Sequence, residues 1–211
     1  MRILTYILAA CIVGVLFLGV FKLFAFSEGY VKKEFVKYNV YGQFPLDDID
    51  KVNHGVLTYL RTGKDYDKSL FNANETRHLE DVRGIVSLGN LILNLFIIIG
   101  LISSAYLYYA DKRCFLKRLS RAILMSGIAS LIFALIIAIF VILGFDWSFT
   151  TFHHIFFPQG NWLFSDGSNI VKLYPEELFF DAGVRIFGII AILANILIFG
   201  GIFLAKKCKA L

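Results

Sequence analysis

The sequence is poor in the residues and motifs that mark common enzyme classes. It has three cysteines among 211 residues, no C-x-x-C pair and no H-E-x-x-H segment. A zinc site of the usual kinds is therefore not indicated. There is also no G-x-S-x-G segment and no glycine-rich phosphate loop, so neither a serine acyl-enzyme nor a nucleotide-phosphate site is indicated.

Charged residues are nearly absent from the four long apolar runs of the chain. Apart from Arg2 at the start of the chain, only Lys22 and Arg185 fall inside them, and both lie near an end. Ion pumps and proton-coupled transporters use ionisable side chains within the membrane. The sequence therefore argues against a transporter of that kind.

What the chain has in excess is apolar sequence. Its residues are 58% hydrophobic and its mean hydropathy is +0.70, which is typical of a multi-pass, all-α membrane protein. A helix needs about 20 apolar residues to cross the hydrocarbon core, and four segments meet that length. The predicted transmembrane helices are residues 1–26, 84–110, 122–144 and 184–205.

Lysine and arginine predict how these helices are oriented. The loop 111–121 and the tail 206–211 are both net positive, and Arg2 stands at the start of the chain. Because positive residues collect in cytoplasmic loops, both termini are expected in the cytoplasm and the connections 27–83 and 145–183 outside. The net charge of +5 then reflects topology rather than nucleic-acid binding.

The cysteines agree with this topology. Cys11 falls in the first predicted span, while Cys114 and Cys208 fall on the predicted cytoplasmic side, so no disulfide framework is expected outside. The segment Leu8-Ala9-Ala10-Cys11 matches a lipoprotein signal pattern. Its charged end is short and the apolar run continues past the cysteine, so an uncleaved anchor helix is expected.

The first external connection is long enough to need structure of its own. A proline followed by acidic residues predicts a helix start, and apolar residues then recur at helical spacing. An amphipathic helix is predicted over 46–61, with its apolar face on the membrane or on another external element. Asn72 or Asn74 is expected to cap the next helix, which carries His78 and continues into the second span.

The second external connection is rich in aromatic residues: eight of the twenty residues in 145–164 are Phe or Trp. Such residues favour a membrane interface, and they could also line an apolar pocket for an acyl chain. Tyr174-Pro175-Glu176 predicts the start of the helix that leads to the fourth span. Because neither connection has enough apolar residues for a core alone, we expect the two to form one cap.

Histidine is the side chain best suited to acid–base chemistry near neutral pH, and the chain has four. His78 lies three residues before Asp81, so both can share a helix face and the carboxylate could raise the basicity of the ring. The plainer interpretation is an interfacial histidine in a charged helix turn. His153 and His154 are adjacent and point to different faces, so at most one is expected to meet His78.

Other interpretations of the histidines stay open at this point. His54 lies on the predicted amphipathic helix and is expected on a solvated face. A metal held by His78, one of the adjacent histidines and an acid would make the chain a metal-dependent membrane hydrolase. The chemistry most compatible with the residues is base-assisted transfer at the outer membrane surface, acting on a lipid or a lipid-anchored molecule.

Three motifs, in order, resemble those of a known family. The pattern E-x-x-H-x-x-D-V occurs just before the second span as Glu75, His78, Asp81 and Val82. An F-H-x-I/L-F-F pattern with a following aromatic turn occurs at 152–162, and an L-Y/F-P-E-x-F-F pattern at 173–180. With four spans in this order, the chain resembles the lipoprotein intramolecular transacylases of Gram-positive bacteria over nearly its whole length.

The resemblance implies a fold and an activity. Its members have four transmembrane helices in the bacterial cell membrane, under an extracellular cap, and the chemistry needs no metal or cofactor. They act on diacylglyceryl lipoproteins among the membrane lipids, with no required protein partner. They move the acyl chain from the sn-2 position of the glyceryl group to the amine of the N-terminal cysteine, which gives the N-acyl lyso form.

The resemblance also implies a site. By position, His78 and His153 are the expected catalytic residues, and His154 is the alternative to His153. Glu75, Asp81 and His154 are expected in supporting roles, with Asp81 able to orient His78. The expected substrate pocket consists of Phe152, Phe156, Phe157, Trp162 and Tyr174.

In this chemistry one imidazole takes the proton of the attacking amine, and the other stabilises the oxyanion and protonates the leaving alkoxide. The sequence does not assign these two roles. The competing hypothesis is a non-catalytic membrane protein whose cap binds a lipid or a partner. In that case either histidine could become glutamine with little effect on function.

Overall fold

The computed structural model describes residues 1–44 and 48–208. This part of the chain is helical, with no strand among the residues described. A short 3₁₀ helix covers Tyr41–Gln43. The α-helices, in chain order, are α1 (Arg2–Ala25), α2 (Glu28–Lys37), α3 (Ile49–Thr62), α4 (Ala73–Ala110), α5 (Lys112–Leu143), α6 (Phe145–Phe156), α7 (Asn169–Leu173) and α8 (Glu176–Lys207).

Four of these helices, α1, α4, α5 and α8, are long and apolar enough to cross a membrane. Each covers one of the predicted apolar segments to within one residue at either end, so the all-α membrane class is confirmed. Helices α4, α5 and α8 begin well before those segments, because a helix need not begin where the hydrocarbon begins. At 1.5 Å per residue α4 is about 57 Å long, roughly twice the thickness of the hydrocarbon core. Its charged first turns, 73–83, therefore lie outside the apolar span.

The predicted loop 111–121 is helical from Lys112 onward, and Asp111 is the break between α4 and α5. The Asp111 carboxylate accepts a hydrogen bond from the backbone N–H of Cys114 at 3.2 Å and pairs with Arg118 at 2.9 Å. An aspartate that receives the free N–H groups of a first turn starts a new helix directly. The positive residues expected in a loop therefore lie on a helix.

The chain divides into two compact units. The bundle unit comprises Met1–Lys22, Asn90–Ile139 and Arg185–Leu211, and the aromatic unit comprises Leu23–Gly89 and Phe140–Val184.

Glycine lets two helices of the bundle unit pack closely. A Cβ added at Gly127 of α5 would lie 2.8 Å from the backbone nitrogen of Ile198, and one added at Gly201 of α8 would lie 2.9 Å from the Cα of Leu124. Side chains do not tolerate such distances, so α5 and α8 meet backbone to backbone at these points. Small residues at helix crossings are the usual way in which membrane helices approach each other.

The aromatic unit has a hydrophobic core of a different kind. Both long connections contribute to it, so they share one core as expected, while its position outside the membrane stays a prediction. Large rings and branched side chains dominate this core. Its buried apolar residues are Tyr30, Val31, Phe35, Val40, Phe44, Ile49, Val56, Leu57, Tyr59, Tyr66, Phe71, Leu79, Ile170, Leu173 and Leu178.

Helix α3 confirms the amphipathic helix expected in the first connection. It begins at Ile49, and the predicted start at 45–47 lies outside the described residues. Its buried face, which includes Val56 and Leu57, packs into the core of the aromatic unit. The helix ends at Gly63, whose left-handed φ of 77° lets its N–H reach the carbonyl of Tyr59 at 2.8 Å.

Candidate active site

The start of α4 places His78. The side chain of Asn72 accepts hydrogen bonds from the backbone N–H groups of Asn74 at 2.9 Å and Glu75 at 3.0 Å. Of the two asparagines expected as caps, Asn72 is therefore the one that starts the helix. His78 follows in the second turn and is buried, with 8% of its surface exposed.

Glu75, expected in a supporting role, is bound to backbone N–H groups in the structure. Its carboxylate is 1% exposed and accepts hydrogen bonds from the backbone N–H of Asn72 at 2.7 Å and of Ile170 at 3.0 Å. One carboxylate thus satisfies N–H groups at the starts of both α4 and α7, where a negative charge is favourable. Glu75 joins the segment after the aromatic turn to the helix that carries His78.

Helix α6 places His153 and sets which of its ring nitrogens carries hydrogen. The Nδ1 atom lies 2.8 Å from the backbone carbonyl oxygen of Phe149. A carbonyl only accepts, so Nδ1 is the donor and Nε2 of the neutral ring keeps its lone pair. Burial lowers the pKa of His153; the carbonyl of Phe149 raises it and the nearby charge of His154 lowers it further.

The structure brings His78 and His153 together. Their ring centroids are 6.2 Å apart and their planes differ by 24°. Phe157, only 3% exposed, lies 4.7 Å from the ring of His78 and 5.5 Å from that of His153. The two imidazoles therefore share one apolar wall.

Other aromatic rings enclose the pair more completely than the sequence indicated. Phe149 and Trp162 lie 4.2 and 4.8 Å from His153, and Phe164 lies 5.5 Å from His78. Phe149 and Phe164 were not among the expected pocket residues, although both lie in the aromatic-rich segment that pointed to the site. The rings exclude most water from His78, which is buried, whereas His153 stays partly exposed.

Burial determines the protonation of His78. Loss of hydration lowers its pKa, repulsion by a charged His153 lowers it further, and Asp81 and Asn161 act weakly in the opposite direction, so that the pKa falls to about 4. The sequence had indicated a carboxylate that makes this ring more basic. In the structure burial outweighs that effect, and His78 is neutral near pH 7.

Asp81 holds the turn that follows α6 instead of the ring of His78. Its Oδ2 atom accepts hydrogen bonds from the side-chain amides of Gln159, at 2.9 Å, and Asn161. Gly160, with a φ of 77°, gives the turn its left-handed residue. Gln159 and Asn161 escaped the sequence analysis; the only signal was their place in a turn beside Trp162.

The remaining predicted site residues lie at different places. Phe152 lies 5.5 Å from His153, while Phe156 packs on Phe152 and is about half exposed. His154 is exposed and meets the ring of Trp162 edge-on at 5.2 Å. The structure does not bring Tyr174 to the histidines, because its hydroxyl donates to Asn53 at 3.0 Å in the core.

His54 is exposed, as expected, and its Nδ1 lies 2.8 Å from a carboxylate oxygen of Glu28. Across residues 1–44 and 48–208, no group of three His, Cys, Asp or Glu side chains is arranged to hold a metal ion. The aromatic unit also has a cavity of about 430 Å³ lined by Lys37, Asp146 and Asp181 among others. A second, of about 350 Å³, lies beside Glu75, and neither cavity is lined by His78 or His153.

Comparison with known proteins gives one family. The model of the family described as lipoprotein intramolecular transacylase Lit matches residues 5–180. An uncharacterised protein of Aquifex aeolicus is 25% identical over 143 residues, which cover 66% of this chain and 60% of that protein.

Solved structures show the same fold. The in meso structure of the membrane-integral lipoprotein intramolecular transacylase Lit from Bacillus cereus superposes with a TM-score of 0.87 at 22% identity, over 100% of this chain and 98% of that one. A variant of that protein with one histidine replaced by arginine matches with a TM-score of 0.78, also at 22% identity, over 99% of this chain and 93% of that one.

Proposed function

This chain belongs to the Lit family of lipoprotein intramolecular transacylases, and on that premise we propose that it transfers the sn-2 acyl chain of a diacylglyceryl lipoprotein to the α-amine of the same molecule's N-terminal cysteine. The chain is a multi-pass protein of the cell membrane. The observation on which the proposal depends is the pair of imidazoles of His78, which is buried, and His153, which is half-buried, 6.2 Å apart among aromatic rings.

The reaction asks mainly for positioning and proton transfer. A bond forms between the amine nitrogen and the ester carbonyl carbon, the bond from that carbon to the glyceryl oxygen breaks, and one proton passes from nitrogen to the leaving oxygen. Donor ester and acceptor amine belong to one molecule, so the site must hold two ends of one substrate rather than collect two reactants.

His153 is the better prepared base of the two. Its Nδ1–H is engaged by the carbonyl of Phe149 at 2.8 Å, so its Nε2 lone pair is available. Because burial lowers its pKa, the ring is a weak base toward a free ammonium, whose pKa is about 8. We propose that the uncharged amine attacks and that Nε2 takes the proton as the carbon–nitrogen bond forms, when the nitrogen becomes much more acidic.

His78 is suited to the complementary role. With a pKa of about 4 its ring stays neutral, and a neutral imidazole presents one N–H to the developing oxyanion without an added charge next to His153. The proton carried by His153 is unfavourable because partial burial lowers the pKa of that ring. It therefore passes readily to the alkoxide that leaves.

The surrounding rings support transfer over hydrolysis. Water in the site would attack the same ester that the amine attacks. Phe157, Trp162 and Phe164 pack against the two imidazoles, so the volume beside the reacting groups is apolar.

The orientation predicted from positive residues places this site at the outer face of the membrane. Residues 73–83 and 145–164 precede the second span and follow the third, at the ends opposite the net-positive segment 111–121. Lipid-anchored substrates would then reach the site from the outer leaflet.

The test is tandem mass spectrometry of the N-terminal lipopeptide of a reporter lipoprotein, made in a host that lacks other N-acylating enzymes. With the wild-type chain, the total mass should stay unchanged while one acyl chain moves from glycerol to the cysteine amine. His78→Ala should lower the amount of transferred product about 100- to 1,000-fold, because the loss of one oxyanion donor costs on the order of 10²–10³. His54→Ala, on an exposed histidine, is the matched control and should transfer normally.

Other results would select the competing hypotheses. If both acyl chains stay on glycerol with the wild-type protein in the membrane, the transacylase proposal is wrong and a lipid- or partner-binding role gains support. Loss of one acyl mass would indicate hydrolysis, and inhibition by a chelator would then identify a metal-dependent hydrolase.

A further inference from the structure

Three buried polar atoms beside the histidines have no hydrogen-bond partner among the described residues. They are Nδ1 of His78, Oδ1 of Asn161 and Nε1 of Trp162. Buried polar atoms are nearly always paired, because an unpaired one keeps the full cost of its desolvation. Such atoms grouped beside a reactive pair indicate a ligand that supplies the missing partners.

The chemical identity of the Asn161 atom is settled by its other hydrogen bond. The carboxylate of Asp81 only accepts, so the Asn161 atom that faces it is the amide nitrogen. The remaining atom, Oδ1, is an acceptor. A polar contact with the Asn161 side chain raises the pKa of His78, so that side chain lies next to the ring. The contact falls outside strict hydrogen-bond geometry, which neither Oδ1 of Asn161 nor Nδ1 of His78 meets with any described residue.

Trp162 has a hydrogen-bond donor without a partner in the described ranges, whereas Asn161 has an acceptor. Its indole Nε1–H can only donate, and its ring lies 4.8 Å from that of His153 with planes 34° apart. From its place in the aromatic-rich segment, Trp162 was expected only as part of an apolar wall. In the part of the chain that the structure describes, its indole N–H has no acceptor, and the neighbouring residue, Asn161, has a side-chain oxygen without a donor.

We propose that Asn161 and Trp162 contact the reacting groups of the substrate: Asn161 Oδ1 accepts a hydrogen bond from the attacking amine, and Trp162 Nε1 donates one to the ester carbonyl oxygen. The assignment rests on the proposed transacylase function. An amine offers the N–H that Oδ1 lacks, and holding that N–H turns the nitrogen lone pair toward the carbonyl. The carbonyl oxygen gains negative charge during attack, so the hydrogen bond from the indole strengthens in the transition state.

Trp162→Phe tests the donor, because it removes the N–H and keeps an aromatic ring against His153. With purified full-length protein and a synthetic diacylglyceryl cysteinyl lipopeptide, we expect kcat to fall on the order of 100- to 1,000-fold, as for other oxyanion donors. KM should change little, since the carbonyl contact matters most during attack. Trp147→Phe is the matched control: Trp147 lies on α6 with 63% of its surface exposed, and its variant should keep the wild-type kcat.

Asn161→Ala tests the acceptor through binding. The wild-type protein should be inhibited more strongly by a non-hydrolysable ether lipopeptide with a free amine than by the same molecule with an acetylated amine. Asn161→Ala should lose this preference. Gln159→Ala removes the other amide hydrogen bond to Asp81 and should keep the preference, which separates amine contact from support of the turn.

The outcomes distinguish this inference from the function on which it rests. If the wild-type protein moves no acyl chain, the proposed function fails and the inference fails with it. If the wild-type protein is active but Trp162→Phe keeps its kcat, or Asn161→Ala keeps the amine preference, the inference alone is wrong. A loss of kcat in Trp162→Phe that comes with a matching loss of thermal stability would mean that the ring serves packing only, which also contradicts the inference.

Discussion

The bundle unit and the aromatic unit achieve close packing with opposite kinds of residue. In the bundle unit, Gly127 and Gly201 let backbones meet, and serines such as Ser126 and Ser130 are buried between helices. The aromatic unit relies on large rings, with polar side chains buried among them. Lipid chains are as apolar as the helices they surround, so only tight fit favours helix contacts there, whereas burial of rings from water can stabilise a core directly.

This difference predicts where a substitution acts. A change at a helix crossing of the bundle unit should alter stability and leave the chemistry of the folded protein unchanged. A change among the buried polar groups of the aromatic unit should alter proton transfer, or the position of the groups that perform it. The following predictions test this division, beginning with the largest effect.

The two adjacent histidines form a matched pair within the aromatic unit. His153→Gln should lower the rate of acyl transfer at least 100-fold, because it removes the imidazole that lies beside His78. His154→Gln should lower it no more than about threefold, because that ring is exposed, and a lone exposed ring lacks the enclosure that such catalysis uses. Mass spectrometry of the lipopeptide product over time measures both. The reverse order of effects would contradict the assignment of His153.

Removal of the buried Glu75 carboxylate should lower the stability of the aromatic unit. Glu75→Ala leaves the N–H groups of Asn72 and Ile170 without their acceptor, and we expect a loss of about 2–4 kcal/mol, the sum of two helix-start hydrogen bonds to a charge. Thermal unfolding in detergent gives the comparison. Glu80→Ala is the control, because Glu80 is half exposed and pairs with Lys68 at 3.7 Å, an interaction that contributes below about 1 kcal/mol. Equal effects in the two variants would show that the hydrogen bonds of Glu75 stabilise the protein no more than an exposed ion pair does.

Two neighbouring glycines test the packing of the bundle unit. Gly201→Ala places a methyl group 2.9 Å from the Cα of Leu124 and should destabilise the fold by about 1–3 kcal/mol. Gly200→Ala meets nothing within 4 Å and should be neutral or stabilising by up to about 1 kcal/mol. Unfolding temperatures measure the contrast. The fraction of Gly201→Ala that remains folded should transfer acyl chains at the wild-type rate. A lower kcat of the folded fraction would contradict the prediction that helix crossings in the bundle unit affect stability alone.

The last expected effect is the pH dependence of stability, which is absent at neutral pH. The pKa of His78 falls from 6.5 to about 4 in the folded protein, so the unfolded chain binds the proton more tightly. The contribution of this neutral ring to stability is complete above pH 6.5 and is lost as pH decreases toward 4. Unfolding temperatures between pH 4 and 7 should decline more steeply for the wild type than for His78→Gln. Parallel curves would contradict a depressed pKa.

Much of the fold was predictable because it depends on local patterns. Apolar runs of sufficient length identified the four long helices, and helical spacing of apolar residues identified α3 from Ile49 onward. Asn72 was one of two expected caps, and Pro175 stood where a helix start was expected. Each of these features depends on residues within a few positions of one another, so the sequence carries the information directly.

The site was predictable only in part, because it depends on contacts between distant residues. His78 lies beside His153 only because the chain folds. Asp81 likewise binds Gln159 and Asn161, which are about 80 positions away in the sequence. Tyr174 shows the limit most clearly. It belongs to an aromatic motif, yet its hydroxyl faces Asn53 in the core, which no local pattern indicates.

The amino-acid sequence by itself determined that this chain is an all-helical membrane protein and which histidines were candidates for a site, because hydropathy and helical periodicity act over short distances. Only the tertiary structure decided that His153 rather than His154 faces His78, that Glu75 joins two helix starts, and that burial outweighs the carboxylate in lowering the pKa of His78. Those outcomes depend on which side chains lose water together, and water is lost only when distant segments pack.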